Sequence, residues 1–220
     1  MRKILLIFLF FLGQNLFGQE YHFDRMIQYK YLSSSFTGIR VITICFDSKD
    51  LSHYIVSRTW GEELDTYFTD TKNQIYHRYK TYDINKSNIP EYWYSSKTND
   101  STKTARLNEL CTSISLDQTE VDNTSTKLLL TEYKNDKKKK ILYQIEVISK
   151  PYDLAVLGLI TKALESHFLF CEEIKISQKG LPTSLKMFSG SNIKNEITLI
   201  KETTTHFNFT VNQKEIKIKD

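Results

Sequence analysis

Residues 153–170, DLAVLGLITKALESHFLF, form the only long stretch of this chain whose apolar side chains recur with the period of a helix. Leu157, Ile160, Leu164 and Phe168 fall three and four residues apart, so helical geometry gathers them onto one stripe. Pro151 discourages an earlier turn from running through, and Asp153 is placed to cap the start. Almost everything else alternates like strand. A single amphipathic rod among so many strands leaves few architectures. The expectation is a mainly β (α+β) fold: a curved antiparallel sheet or half-barrel of about ten strands with one main helix at about 153–169.

The first 18 residues, MRKILLIFLFFLGQNLFG, place Arg2 and Lys3 before an unbroken apolar run, which is too short to span a bilayer and is followed by the small residue Gly18. They read as a secretory signal peptide cleaved before Gln19, leaving residues 19–220 as one β-rich domain with no further segment able to cross a membrane as a helix. Cleavage removes two basic residues and no acidic one, so the formal charge falls from +4 to +2. Near neutrality and export both argue against a nucleic-acid partner. Cys45, Cys111 and Cys171 are sparse and odd in number, so at most one disulfide can form. Buried reduced thiols are the reading preferred for Cys45 and Cys171, which lie in apolar contexts.

Strand patterning is expected at 21–32, 38–46 and 52–60, the last two forming a hairpin, and again at 64–69 and 73–82. Between Asn85 and Ser125 the alternation weakens. Pro90 interrupts any ladder, residues 95–104 (SSKTNDSTKT) read as an exposed loop, and residues 105–111 suit a short helical turn. Two strong strands at 126–133 and 141–149 flank the lysine-rich tip KNDKKKK. That tip suits either contact with anionic head groups or a solvated turn that keeps edges from aggregating. Strands are then expected at 173–177, 185–188, 197–201, 206–211 and 215–219, with turns at 189–192, 203–205 and 212–214.

Motifs that carry chemistry are hard to find. His22, His53, His77, His167 and His206 show no metal-ligand spacing, and neither HExxH nor CxxC occurs, so no metal or other cofactor is expected. Glu62 and Glu63 are adjacent, and neighbours on a strand point to opposite faces, so they cannot flank one glycosidic bond together. Seven glycines supply no phosphate-cradling loop. The feature above background is the aromatic density at Trp60, Tyr67, Phe68, Tyr76, Tyr79, Tyr82, Tyr92, Trp93 and Tyr94. These rings either build the sheet, for which their propensity is high, or line an amphipathic wall for an apolar or carbohydrate ligand. Trp60, Tyr92, Trp93 and Tyr94 are the candidate ligand-binding residues, because the last three follow Pro90 and adjoin the polar loop.

The strand-rich order from Tyr21 to Lys219, the late helix and the Gly180–Leu181–Pro182 link into paired C-terminal strands resemble the lipoprotein-carrier-like proteins of the Gram-negative periplasm. The resemblance implies a strongly curved, unclosed sheet wrapped around helices, with a concave face that holds acyl chains. On this reading the chain is an exported, periplasmic or secreted, non-enzymatic binding protein for an apolar, lipid-like ligand held beneath the helix, its partner a lipid or a lipoprotein acyl chain. The alternative is a β-rich envelope or protein-interaction module that takes no small molecule and partners another envelope protein.

Overall fold

Period-two alternation of β-branched and aromatic residues makes ladders wherever polar turns bring two such segments together, and eleven of them pair here into one antiparallel sheet. The computed structural model describes residues 19–35, 37–60, 63–81, 91–97, 113–122, 124–134, 137–138, 140–164 and 179–211. The leader, the turn expected at 105–111, the strands expected at 173–177 and 215–219, and Glu62, Tyr82, Cys111, Cys171, His167 and Phe168 lie outside the described residues. The elements are β1 (Gln19–Ser33), β2 (Arg40–Phe46), β3 (His53–Trp60), β4 (Glu63–Asp70), β5 (Ile75–Thr81) and β6 (Glu91–Lys97). They continue with β7 (Ser113–Asp122), β8 (Ser125–Tyr133), β9 (Ile141–Lys150), α1 (Val156–Ala163), β10 (Leu181–Ser189) and β11 (Asn192–Val211).

Their order across the sheet is β6-β5-β4-β3-β2-β1-β11-β10-β9-β8-β7. One meander runs outward from β1 to β6, a second runs inward from β7 to β11, and the two meet where β11 pairs with β1. β6 and β7 are therefore the two edges of a curved sheet that is not closed. Gly190, at φ +61°, turns the β10–β11 hairpin, where Ser189 faces Asn192.

Four expectations needed correction. The turn expected at 203–205 is ladder: Thr203 and Thr204 pair with Met26 and Arg25, and β11 runs unbroken for 20 residues, its irregularities absorbed as register shifts. Ser95, Ser96 and Lys97, read as loop, belong to edge strand β6, and β7 forms the opposite edge, since an edge tolerates polar residues that a central strand does not. Leu181 and Pro182 belong to β10 and are not a link. Pro182 pairs only with Ser149 of β9 beside a register shift, and its carbonyl accepts a hydrogen bond from the fully buried Tyr29 hydroxyl at 3.0 Å. The helix begins at Val156, which leaves Asp153 in the bend before it and not at the cap.

α1 lies on one face, the inner one. Val156, Leu157, Leu159, Ile160, Ala163 and Leu164 pack with Ile27, Tyr29, Ile42, Ile44, Val56, Leu128, Leu130, Ile145, Val147, Leu181, Leu185 and Ile197 in a single cluster. Each of these large side chains, fully withdrawn from water, contributes about 1.5–3 kcal/mol. Tyr152, just before the helix, donates its hydroxyl to the Glu202 carboxylate and ties that segment to β11.

The outer face of β2–β5 is covered by the chain itself. β2 pairs with β1 only from Arg25 onward, so Gln19–Phe23 and Phe207–Val211 continue as a two-stranded ribbon. A register shift between Phe23 and Arg25 redirects the ribbon, and it lies over Cys45, Ile55, Phe68 and Tyr79. Tyr21 meets Phe68 at 4.5 Å between ring centroids, and Phe209 meets Phe68 and Tyr79 at 5.4 and 5.5 Å.

Candidate functional site

Cross-strand register carries the inner face from oil to charge. One row runs Leu128, Val147, Leu185, Ile197, Tyr31 and then Arg40; the next runs Tyr29, Ile42, Arg58, Asp65 and Lys80; a third runs Ile27, Ile44, Val56, Tyr67 and Arg78. The aliphatic residues stop at Ile197 on β11 in the first row, at Ile42 on β2 in the second and at Val56 on β3 in the third, and tyrosine and charged residues follow. Tyr67, Tyr76, Arg58 and Arg78 do not belong to the cluster built on α1.

Tyr67 is the hub of this region. The Arg58 guanidinium carbon stands 4.7 Å from the Tyr67 ring centroid and that of Arg78 stands 5.1 Å away, while Tyr76 lies 5.6 Å from Tyr67, ring to ring. Stacking over an aromatic face holds a guanidinium flat and oriented. Asp65 is fully engaged by its neighbours. Arg78 donates Nε to Oδ1 at 3.2 Å and Nη2 to Oδ2 at 2.6 Å, and the Tyr67 hydroxyl donates to Oδ2 at 2.9 Å. Arg58 has no such service: its buried Nε has no hydrogen-bond partner among the described residues. Tyr31, whose hydroxyl donates to Asn195 Oδ1 at 3.2 Å, feels the charges of both Arg40 and Arg58.

The proton energetics follow the crowding. Burial draws the Arg58 guanidinium below its usual range, with Tyr67, Tyr76 and Asp65 opposing that shift and Arg78 reinforcing it. Burial also pushes the Tyr67 hydroxyl up to about 12; the Arg58 charge resists, and the hydrogen bond to Asp65 adds to the rise. A phenol so raised keeps its proton at neutral pH, which suits a donor and not a base.

The outer face holds a second polar group with a different character. Asp70 accepts from Tyr21 Oη at 2.8 Å and from the Asn73 amide and side chain at 2.9 and 2.7 Å. Burial alone would raise the Asp70 carboxyl, but these hydrogen bonds outweigh it and hold it below the ordinary carboxylate value, while burial and Asp70 push the Tyr21 hydroxyl well up. His77, stacked on Phe68 at 5.7 Å, is buried and its proton affinity lowered by that burial. Each group is driven away from neutral titration, so the arrangement works as a lock between ribbon and sheet. No group of three or more His, Cys, Asp or Glu able to hold a metal occurs among the described residues. Cys45 is a buried free thiol whose pKa burial raises to about 11, which makes it a packing residue.

The residues that the sequence nominated occupy the same half of the sheet. Trp60 ends β3 and pairs with Glu63; Tyr92 pairs with Tyr79 and Tyr94 with Arg78; Trp93 falls at the register shift between those pairs. Tyr94 is thus the next position of the third row, after Arg78. The aromatic stretch divides by parity: Phe68 and Tyr79 join the outer core, and Tyr67 and Tyr76 remain half-buried on the inner side. Sequence reasoning missed Arg40, Arg58, Arg78 and Asp65. A signal existed, because Arg40 shares the parity of Ile42 and Ile44, and Arg58 that of Tyr54 and Val56, so both cations fall on the face those strands bury.

No family model and no curated protein matches the chain. Among solved structures it is similar to a LolA superfamily protein from Nitrosomonas europaea, with 10% sequence identity, 86% of this chain and 88% of that chain covered, and a TM-score of 0.30.

Proposed function

We propose that the chain is exported and serves, in the periplasm or outside the cell, as a non-enzymatic binding protein for a lipid-like ligand held on the inner face of the sheet. The observation that carries this reading is the division of the inner face between the cluster packed on α1 and the half-buried tyrosines outside it. Directly beneath the helix, Leu157 and Ile160 fill the space against the sheet, so a ligand does not lie there. Outside the cluster packed on α1 the same face continues over β4 and β5 with the half-buried Tyr67 and Tyr76. Tyrosine offers a broad apolar ring with one polar tip, the surface suited to an alkyl chain that ends in a head group. The apolar leader supports the exported location.

Native mass spectrometry of residues 19–220, purified without detergent from cells that export the chain, tests the proposal. Copurified lipid, or uptake of an added long-chain fatty acid at one per chain, is the expected result. A bare chain that also refuses the added lipid overturns it and favours the protein-interaction alternative.

A further inference from the structure

We infer that the lipid-like ligand of the inner face is anionic, and that Arg58, with Arg40 and Arg78 around it, receives its carboxylate or phosphate head group. The inference rests on the proposed lipid-binding reading and specifies the ligand's charged end.

Three guanidinium groups occupy neighbouring positions of the register rows, and the carboxylate among them, Asp65, has both oxygens taken by Arg78 and the Tyr67 hydroxyl. Among the described side chains on this part of the face, positive charge therefore exceeds negative. Arg58 is the residue on which the excess falls, since its buried Nε has no acceptor among the described residues. A buried donor left unsatisfied is costly, and the cost is greater for a charged group. A planar, delocalised cation with its donors in a fixed fork matches two oxygens of a carboxylate or phosphate. Tyr67 stacks beneath Arg58 and Arg78 and orients both before any ligand arrives. The other half of the match lies beside Arg58: Tyr67 and Tyr76, half-buried and outside the cluster packed on α1, offer the apolar rings along which a chain attached to that head group would run.

Residues 19–220 are titrated with palmitate, with methyl palmitate, which has the same chain and no charge, and with inorganic phosphate. Palmitate is expected to bind about ten- to a hundredfold more tightly than its ester, the range a charge-assisted hydrogen bond gives. R58M should bring palmitate down to the affinity of the ester, and R58K, which keeps the charge but loses the fork, should fall between; urea unfolding of each variant confirms that it is folded. Equal binding of acid and ester, or a preference that survives R58M, overturns the inference and leaves the lipid-binding reading standing. Binding of phosphate that depends on Arg58, with neither long-chain probe bound, supports the anion site and overturns the lipid reading. If none of the three binds, both fall.

Discussion

Replacing Arg58 by methionine should stabilise the ligand-free protein, an unusual direction for a change at a half-buried position. Three contributions set the sign. The unpartnered Nε donor disappears, which relieves about 1–3 kcal/mol. A buried cation beside a second cation gives way to an apolar chain of similar length, a kind of exchange that ranges from neutral to stabilising by about 1–4 kcal/mol. Against these stands the lost stacking on Tyr67, about 0.5–2 kcal/mol. The first two overlap, because both describe the relief of one cation, so the balance is a gain of about 1 kcal/mol, or about 2–4 °C in Tm for a domain of this size. Urea denaturation of ligand-free protein measures it as a shift in midpoint at unchanged slope. Arg78→Met is the control, because Arg78 holds Asp65 through two hydrogen bonds and its removal strands that carboxylate; it should cost about 2 kcal/mol or more. Two arginines over one tyrosine ring thus carry opposite signs. A loss of more than about 1 kcal/mol in R58M would show that Arg58 is already satisfied within the fold, and the case for an anionic ligand would lose its footing.

Truncating Leu157 to alanine empties the centre of the inner core and should cost about 2.5–5 kcal/mol by urea unfolding; a loss below about 1 kcal/mol would mean that α1 is not packed on the sheet. Tyr21→Phe removes one of three hydrogen bonds to Asp70 and should cost about 1–2 kcal/mol, with faster amide exchange at 19–23 and 207–211 before the rest of the sheet. Burial holds His77 below its ordinary value of 6.5, so the unfolded chain takes up a proton at that position at higher pH than the folded one does. The stability it contributes is complete above that value and is lost as pH falls below it. His77→Phe should therefore reduce the drop in urea midpoint between about pH 7.5 and about pH 5.5, and an identical drop in both proteins would refute the assignment.

How much of this was legible in the sequence depends on which side of a strand each residue reports. The hairpins of β2–β3, β4–β5 and β8–β9 announced themselves, because alternation in segments such as RVITICF and ILYQIEVIS survives whichever face is buried. β6 and β7 did not, since an edge strand with Ser95, Ser96 and Lys97 needs little apolar content and Pro90 stands directly before it. The single 20-residue β11 was read as two strands because the run Thr203–Thr204–Thr205 looks like a turn, yet threonine is a good strand former and here it faces Met26 and Arg25. Among the site residues, searching for catalytic spacing led towards histidines and paired carboxylates and passed over the arginines. Their meaning came from partners across the neighbouring strand, Asp65 for Arg78 and Tyr67 for Arg58, which alternation along one strand does not show.

The ribbon and the arginines belong to one mechanical problem. An open sheet has no closing ladder to fix its curvature, so the distances between side chains on its inner face follow whatever bend the sheet adopts. Here β1 is clamped to β4, three places away in the order, by Tyr21 on Asp70 and Phe68, and to β3 by the contact of His53 Nε2 with the His22 carbonyl at 3.2 Å. Those contacts lie on the outer side of the same strands that carry Arg58 and Asp65 within. A strand buried on both faces is held from both, and β3 shows this residue by residue: Ile55 belongs to the outer core and Val56 to the inner. Loosening the ribbon would therefore spread the guanidinium groups without touching them. On the proposed reading, preorganisation of that spacing, and not contact with ligand, is what the outer lock contributes to the inner face.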